Sequence, residues 1–194
     1  QNGILFGKDS QVNVGALVAS SLAIDPEAES GGILNPAVLR QGKPAFQGDG
    51  RIYVVDANGQ IVTGGDGQPI PVKVVVEAGA KISSSAAGGG SIALLGQAVE
   101  NAGQVESPSG QVILAAGQKV YLQDSENPDL RGLLFEVDAG GTAWNKATGQ
   151  IASTLGNWRS PQPFSRAVRT YAAVDSTLEK ILTPDKANAM FVAG

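Results

Sequence analysis

A short phrase returns along this chain at a fixed interval, and that interval limits the fold more than any other feature. Its core is a polar residue or Asn, then Gly, then a β-branched residue, then Ser. It reads Val76-Glu77-Ala78-Gly79-Ala80-Lys81-Ile82-Ser83. It returns as Val99-Glu100-Asn101-Ala102-Gly103-Gln104-Val105-Glu106-Ser107, and more loosely as Trp144-Asn145-Lys146-Ala147-Thr148-Gly149-Gln150-Ile151-Ala152-Ser153. Ile82 to Val105 is 23 positions, and Val105 to Ile151 is 46, twice as many. A period of roughly 20–50 residues marks an architecture of stacked repeats. These repeats are short, strand-like and punctuated by Gly. The expectation is therefore all-β: a right-handed parallel β-helix, each repeat one coil of the solenoid. An ordinary β-sandwich is the alternative.

Composition suits such an interior. Hydrophobic residues make up 42% of the chain but aromatics only 5%, so the core is filled by Val, Ile, Leu and Ala. Small aliphatic side chains stack from coil to coil without bulky neighbours, and 26 Gly residues supply tight corners. The chain has no Cys and no His. This removes thiolate chemistry, disulfides and any catalytic group built on imidazole. No cofactor, metal or catalytic residue is expected. Net charge is −4, without the basic face that nucleic acid requires. The charge is uneven: residues 1–150 carry nine basic and fifteen acidic side chains, and 151–194 five basic and three acidic. No stretch is long and apolar enough to span a membrane as a helix. The chain opens at Gln1 without Met or a signal peptide and is read as an excised piece of something longer.

Coils are expected over 1–156, with excursions at about 25–50 and 51–71, and a non-repeat cap or tail over 157–194. Asp25 to Gly32 is a turn cluster, and Asn35-Pro36 is a helix-start signal. Arg51 to Thr63 reads as an inserted hairpin, with Asn58-Gly59 as a type I′ turn. Gly64 to Gly67 and the Pro69/Pro71 pair are expected to end it. Gly90 to Gly96 matches Gly110 to Gly117, which places Ile92 and Leu94 on Val112 and Leu114. Leu133, Phe135 and Val137 are expected as a third layer. Asn101 and Asn145 fall in matching corners with Gly103 and Gly149, where Asn side chains ladder from coil to coil. Asp124 to Asp129 is read as a solvated acidic loop. Past Gly156 the repeat stops. A partly helical or irregular cap is expected there, with one helix around Leu178 and another ending at Met190-Phe191.

With these motifs set out, a resemblance becomes specific. Gln1 to Ser20, reading QNGILFGKDSQVNVGALVAS, resembles the heart of the secretion domain of filamentous-haemagglutinin-type proteins, the two-partner secretion exoproteins. Asn2, Gly3 and Ile4 match that family's Asn-Pro-Asn-Gly-Ile turn motif. The stretches Gly90 to Gly117 and Arg131 to Gly141 resemble the same family, so the likeness covers roughly 1–155. It implies a β-helix carried across the outer membrane by an Omp85-type β-barrel transporter. It also implies secretion to the medium or surface of a Gram-negative bacterium, from a parent of adhesin or toxin-carrier type. The family domain begins upstream of Gln1, and residues from about 157 depart from the family pattern.

Three functions follow. The first is a non-catalytic secretion or adhesion module with a host-cell or glycan receptor. The second is a structural subunit of an extracellular filament, self-associating end to end through an open coil edge. The third is a β-helix carbohydrate-active enzyme. Glu136 and Asp138 share one strand face near Arg131, as an acid–base pair would. The same two acids also fit the solvent face of a half-buried strand.

Overall fold

Strands that alternate apolar with polar residues cover a core on one face, whereas unbroken apolar strands are covered on both. This chain has both kinds. The computed structural model describes residues 3–32, 43–48, 52–84, 90–108, 110–124, 133–137, 141–152 and 189–193. It is mostly β, with parallel sheets. In chain order the strands are β1 (Ile4–Phe6), β2 (Gln11–Val14), β3 (Leu17–Ser20), β4 (Ala23–Ile24), β5 (Phe46–Gln47), β6 (Lys73–Val76), β7 (Lys81–Ser84), β8 (Ser91–Gly96), β9 (Ala98–Asn101), β10 (Gln104–Glu106), β11 (Gln111–Ala116), β12 (Lys119–Asp124), β13 (Leu133–Val137), β14 (Thr142–Asn145), β15 (Gln150–Ala152) and β16 (Ala189–Ala193). A six-residue helix, α1 (Pro26–Gly31), follows β4.

Twelve strands form three four-stranded sheets. Sheet A runs β1-β6-β9-β14, sheet B β2-β7-β10-β15, and sheet C β3-β8-β11-β16. Every pairing within them is parallel. The chain visits A, B and C in turn, so β1–β3, β6–β8, β9–β11 and β14–β16 make four rungs. Val105 is the register partner of both Ile82 and Ile151, the residues 23 and 46 positions away. Ile92 faces Val112, and Leu94 faces Leu114.

The side chains these sheets enclose form one fully buried column. Val74, Val76, Ile82, Ile92, Leu94, Val99, Val105, Val112 and Leu114 are all 0% exposed. Sheets A and B alternate buried and accessible residues, as in Lys73-Val74-Val75-Val76. Sheet C does not, because a fourth sheet packs on its outer face. Sheet D runs β13-β12-β5-β4 and is antiparallel. Ala93, Leu95, Ile113 and Ala115 point into this second core, against Phe46, Val120 and Leu122. The apolar runs Ile92-Ala93-Leu94-Leu95 and Val112-Ile113-Leu114-Ala115 thus meet two cores at once.

Several expectations change here. Residues Leu133–Val137 are not a third layer of the parallel sheet. They pair antiparallel with β12 in sheet D, Phe135 opposite Leu122. Period-two alternation identifies a strand but not the sheet it joins. The strand on β11 is instead β16, so Met190 and Phe191 are in a parallel strand and do not end a helix. The excursion after β4 begins with α1, where the Asp25 side chain accepts a hydrogen bond from the Glu27 amide (2.9 Å) and Pro26 fits the first turn. It returns as β5, which bridges β4 and β12. The Asn35-Pro36 signal, the acidic loop past Asp124 and residues 157–188 lie outside the described residues.

The hairpin expected over 51–63 has a third limb. Antiparallel bridges join Val55 to Ile61, Thr63 to Pro69 and Tyr53 to Pro71. The Val62 amide donates to Val54, Ile70 to Val62, and Val54 to Ile70, all at 2.9 Å. Three limbs spaced by eight residues therefore close into a triangle. Neither turn is type I′, because only Gly59 (φ 78°) and Gly67 (φ 77°) have positive φ. Asp56 widens the first turn to five residues: its Oδ1 accepts from the amides of Asn58 and Gln60, both at 2.8 Å. Those two backbone donors hold the exposed Asp56 carboxyl below its usual pKa. Gly64 to Gln68 repeats the arrangement, with Asp66 accepting from the Gln68 amide.

Candidate functional site

The chain turns from sheet A to sheet B four times, and these corners hold the predicted motif residues. Phe6 to Gln11, Val76 to Lys81 and Asn145 to Gln150 each enclose four residues, closed by an amide-to-carbonyl bond. These are Ser10 to Gly7 (3.0 Å), Ala80 to Glu77 (3.0 Å) and Gly149 to Lys146 (2.8 Å). The third corner encloses only Ala102 and Gly103, and a side chain replaces the missing turn. Asn101 Oδ1 accepts from the Gly103 amide (3.2 Å), and its Nδ2 donates to Asn145 Oδ1 (2.7 Å). Asn145 Nδ2 in turn donates to the Gly149 carbonyl (3.0 Å). Both Asn residues are buried, which is tolerable only because their amides are partnered.

The corner glycines make this approach possible. A Cβ on Gly103 would lie 2.6 Å from the carbonyl oxygens of both Ala80 and Glu77. One on Gly149 would collide with Asn145 Oδ1 and the Asn101 carbonyl. Gly3 has the same character at the first rung: its φ is 76°, and a Cβ would strike the Lys73 carbonyl. Ile4 beside it packs half-buried on the core, and Asn2 lies outside the described residues. The Ser of the repeat ladders one place later than the phrase suggests. Ser107 Oγ meets Ser84 Oγ (3.3 Å), not Ser83, because Val105 pairs with Ile82 and both are followed by two residues.

The short third corner leaves a hollow of about 160 Å³ between the longer corners of rungs 2 and 4. Gly79, Ala102 and Gly103 line it, with Lys81, Gln104 and Gln150 along one rim. Thr148 closes one side by donating from Oγ1 to the Ala102 carbonyl (2.9 Å).

Sheet A carries a charged cluster on its outer face, which sequence reasoning missed. Leu5, Val75, Glu100 and Trp144 are register partners from rung to rung. Glu100 takes Lys73 on one oxygen (2.6 Å) and Lys146 on the other, tying rungs 2, 3 and 4 together. Lys146 Nζ also lies 5.6 Å from the Trp144 ring centre, within cation–π range. Burial opposes ionisation of Glu100, but hydrogen bonds from Lys146 and Lys73 outweigh it and hold the carboxyl below its usual pKa. A carboxylate with both oxygens committed in this way is a cross-link between strands. The available signal was that Glu100 and Trp144 each directly precede an aligned corner Asn.

Of the carboxylate pair weighed for catalysis, Glu136 lies in β13 opposite Tyr121. Asp138 and Arg131 lie outside the described residues. Among the described residues, no group of three His, Cys, Asp or Glu is placed to hold a metal. No helix there is long and apolar enough to cross a membrane. Compared with models of known families, with curated proteins and with solved structures, the chain finds no match in any of the three.

Proposed function

We propose that this chain is part of a secreted bacterial exoprotein of the filamentous-haemagglutinin type, and that its rungs are coils of a right-handed parallel β-helix. One observation carries the coil reading. Repeats separated by 23 and 46 residues are register partners in one parallel sheet, and the chain visits sheets A, B and C in the same order at each rung. Such cyclic parallel pairing is what a coil repeat produces, since parallel neighbours need a crossover and cannot be joined by a tight hairpin.

The secretion reading is supported by the wording of Gln1 to Ser20 and by the position of Gly3-Ile4. Gly3 turns the chain into the first strand where no side chain fits, and Ile4 starts the inward column. On this reading the module is non-catalytic. Its parent leaves the cell through an outer-membrane β-barrel transporter of the Omp85 type, and its exposed sheet faces meet a host-cell or glycan receptor.

The test is secretion of the full-length parent with and without that transporter. Appearance in the medium only when the transporter is present is expected. Release that ignores the transporter, or no release at all, overturns the secretion reading and leaves the coil reading to be judged by itself.

A further inference from the structure

The hollow at the A-to-B corners has its floor on rung 3 and its walls on the longer corners of rungs 2 and 4, so described residues alone shape it. Its volume of about 160 Å³ equals about five waters at roughly 30 Å³ each, room for one sugar ring. Apart from Thr148, the side chains inside the rim are the methyls of Ala78, Ala80 and Ala102.

The rim is polar by register. Lys81, Gln104 and Gln150 are partners from rung to rung, and each is followed by an inward residue, Ile82, Val105 or Ile151. They therefore stand in one column on the outer face of sheet B and give the rim one cation and two amides. Among the described residues Lys81 forms no ion pair. The acids flanking it are committed elsewhere: Glu77 Oε2 accepts from the Lys8 amide (2.8 Å), and Glu106 Oε1 accepts from Gln104 Nε2. Gln104 Oε1 and the Gln150 side chain are without a partner among the described residues.

The corner amides decide between ligands. Those of Ala80, Lys81, Gly103, Gln104 and Gln150 all donate within the protein. An inorganic anion, which a cluster of free backbone N–H groups would hold, finds no such cluster in them. An extended peptide, which needs free backbone groups to pair with, is disfavoured for the same reason. What the hollow offers is side-chain amides that both donate and accept, a single ammonium, and a methyl floor. A hydroxylated ring with one carboxylate matches each of these: hydroxyls on the amides, carboxylate on Lys81, and the ring's C–H face on the methyls. We infer that the hollow holds one carboxylate-bearing sugar residue of a glycan, an inference that names the ligand of the receptor reading above and rests on it.

The test follows backbone amide shifts of the chain by NMR as methyl glucuronide is added, with methyl glucoside as the neutral control. Shifts at Gly79, Gly103 and Gln104 that saturate in the millimolar range are expected. The neutral sugar should bind at least several-fold more weakly, and the difference should shrink with salt. Lys81 is exposed, so Lys81→Gln leaves the fold intact and is expected to lower the acid to the affinity of the glucoside. Ala102→Leu fills the hollow and is expected to abolish both responses, with the pairing of Val105 to Ile82 and Ile151 as the check on folding. Equal binding of the two sugars by the unaltered protein overturns the inference. So does a response that survives in Ala102→Leu, or inorganic sulfate moving the same amides as strongly as the sugar acid. If these amides stay silent while a uronate-containing oligosaccharide shifts others, only this site fails. If the parent also binds neither host cells nor immobilised glycans, the receptor reading fails with it.

Discussion

The rung stack and the triangle at 52–72 are both β structure, and they treat their strand edges in opposite ways. In the triangle, Val54, Val62 and Ile70 each donate to one limb and accept from the other, so the circuit is complete after three. In the stack, each rung hands its bonds to the next, and among the described residues no strand closes the circuit back from rung 4 to rung 1. Closure needs only an eight-residue spacing and two Asp-organised turns. Stacking joins strands 70, 23 and 46 residues apart, as Val12, Ile82, Val105 and Ile151 show, and needs a buried column. The difference sets where stability resides. The triangle limbs are half-buried, with Val55 38% and Ile61 52% exposed, while the inward residues of rungs 2 and 3 are fully buried. The stack is therefore the cooperative unit and the triangle a local appendage.

Cutting into the column is the harshest way to break this contrast. Leu94→Ala is expected to cost about 3 kcal/mol of global stability, from lost burial plus an unfilled cavity. Val62→Ala in the triangle should cost about 1 kcal/mol. Chemical denaturation of both variants checks the ratio, and equal costs would erase the distinction. Asn101→Ala is expected next, at about 2 kcal/mol, because the Gly103 amide and Asn145 lose a buried partner together. Hydrogen exchange should then accelerate at Gly103 and Gly149 and not at Gly59.

A milder change addresses the triangle alone. Gly59→Ala forces a side chain into positive φ, where open space does not relieve the backbone, for about 1 kcal/mol. Exchange should quicken at Gln60 and Val62 while Val105 stays protected. The smallest effect concerns pH. The folded pKa of Glu100 is depressed, so its contribution is present above the ordinary carboxylate pKa and is lost as pH falls through the lower folded value. Both lysines are about 40% exposed. The contribution is accordingly screened to about 0.5–1 kcal/mol. Glu100→Gln should flatten that part of the acid stability curve, and an unchanged curve would remove the triad from the account.

Much of the stack was legible because its signals are periodic. The 23 and 46 spacings located register partners, and the match of Gly90 to Gly96 with Gly110 to Gly117 set Ile92 on Val112 and Leu94 on Leu114. What failed was what period alone does not encode. Leu133 to Val137 alternates as a strand should, but nothing in it states a preference for sheet D. Pro69 and Pro71 read as terminators because proline lacks an amide, yet Ile70 between them supplies the bond that closes the triangle. The phrase ends on Ser83 in one repeat and on Ser107 in the next, but register sets Ser84 opposite Ser107. The ion triad was hidden because Lys73, Glu100 and Lys146 are 27 and 46 residues apart and meet only through stacking.

The central claim is that strands far apart in sequence are neighbours in one parallel register. Backbone NOEs of Val105 test it most directly. Contacts to both Ile82 and Ile151 are predicted, with the amide-to-α pattern of parallel strands. Contacts of Val105 to β9 or β11 in an antiparallel pattern, with none to Ile82 or Ile151, would contradict it.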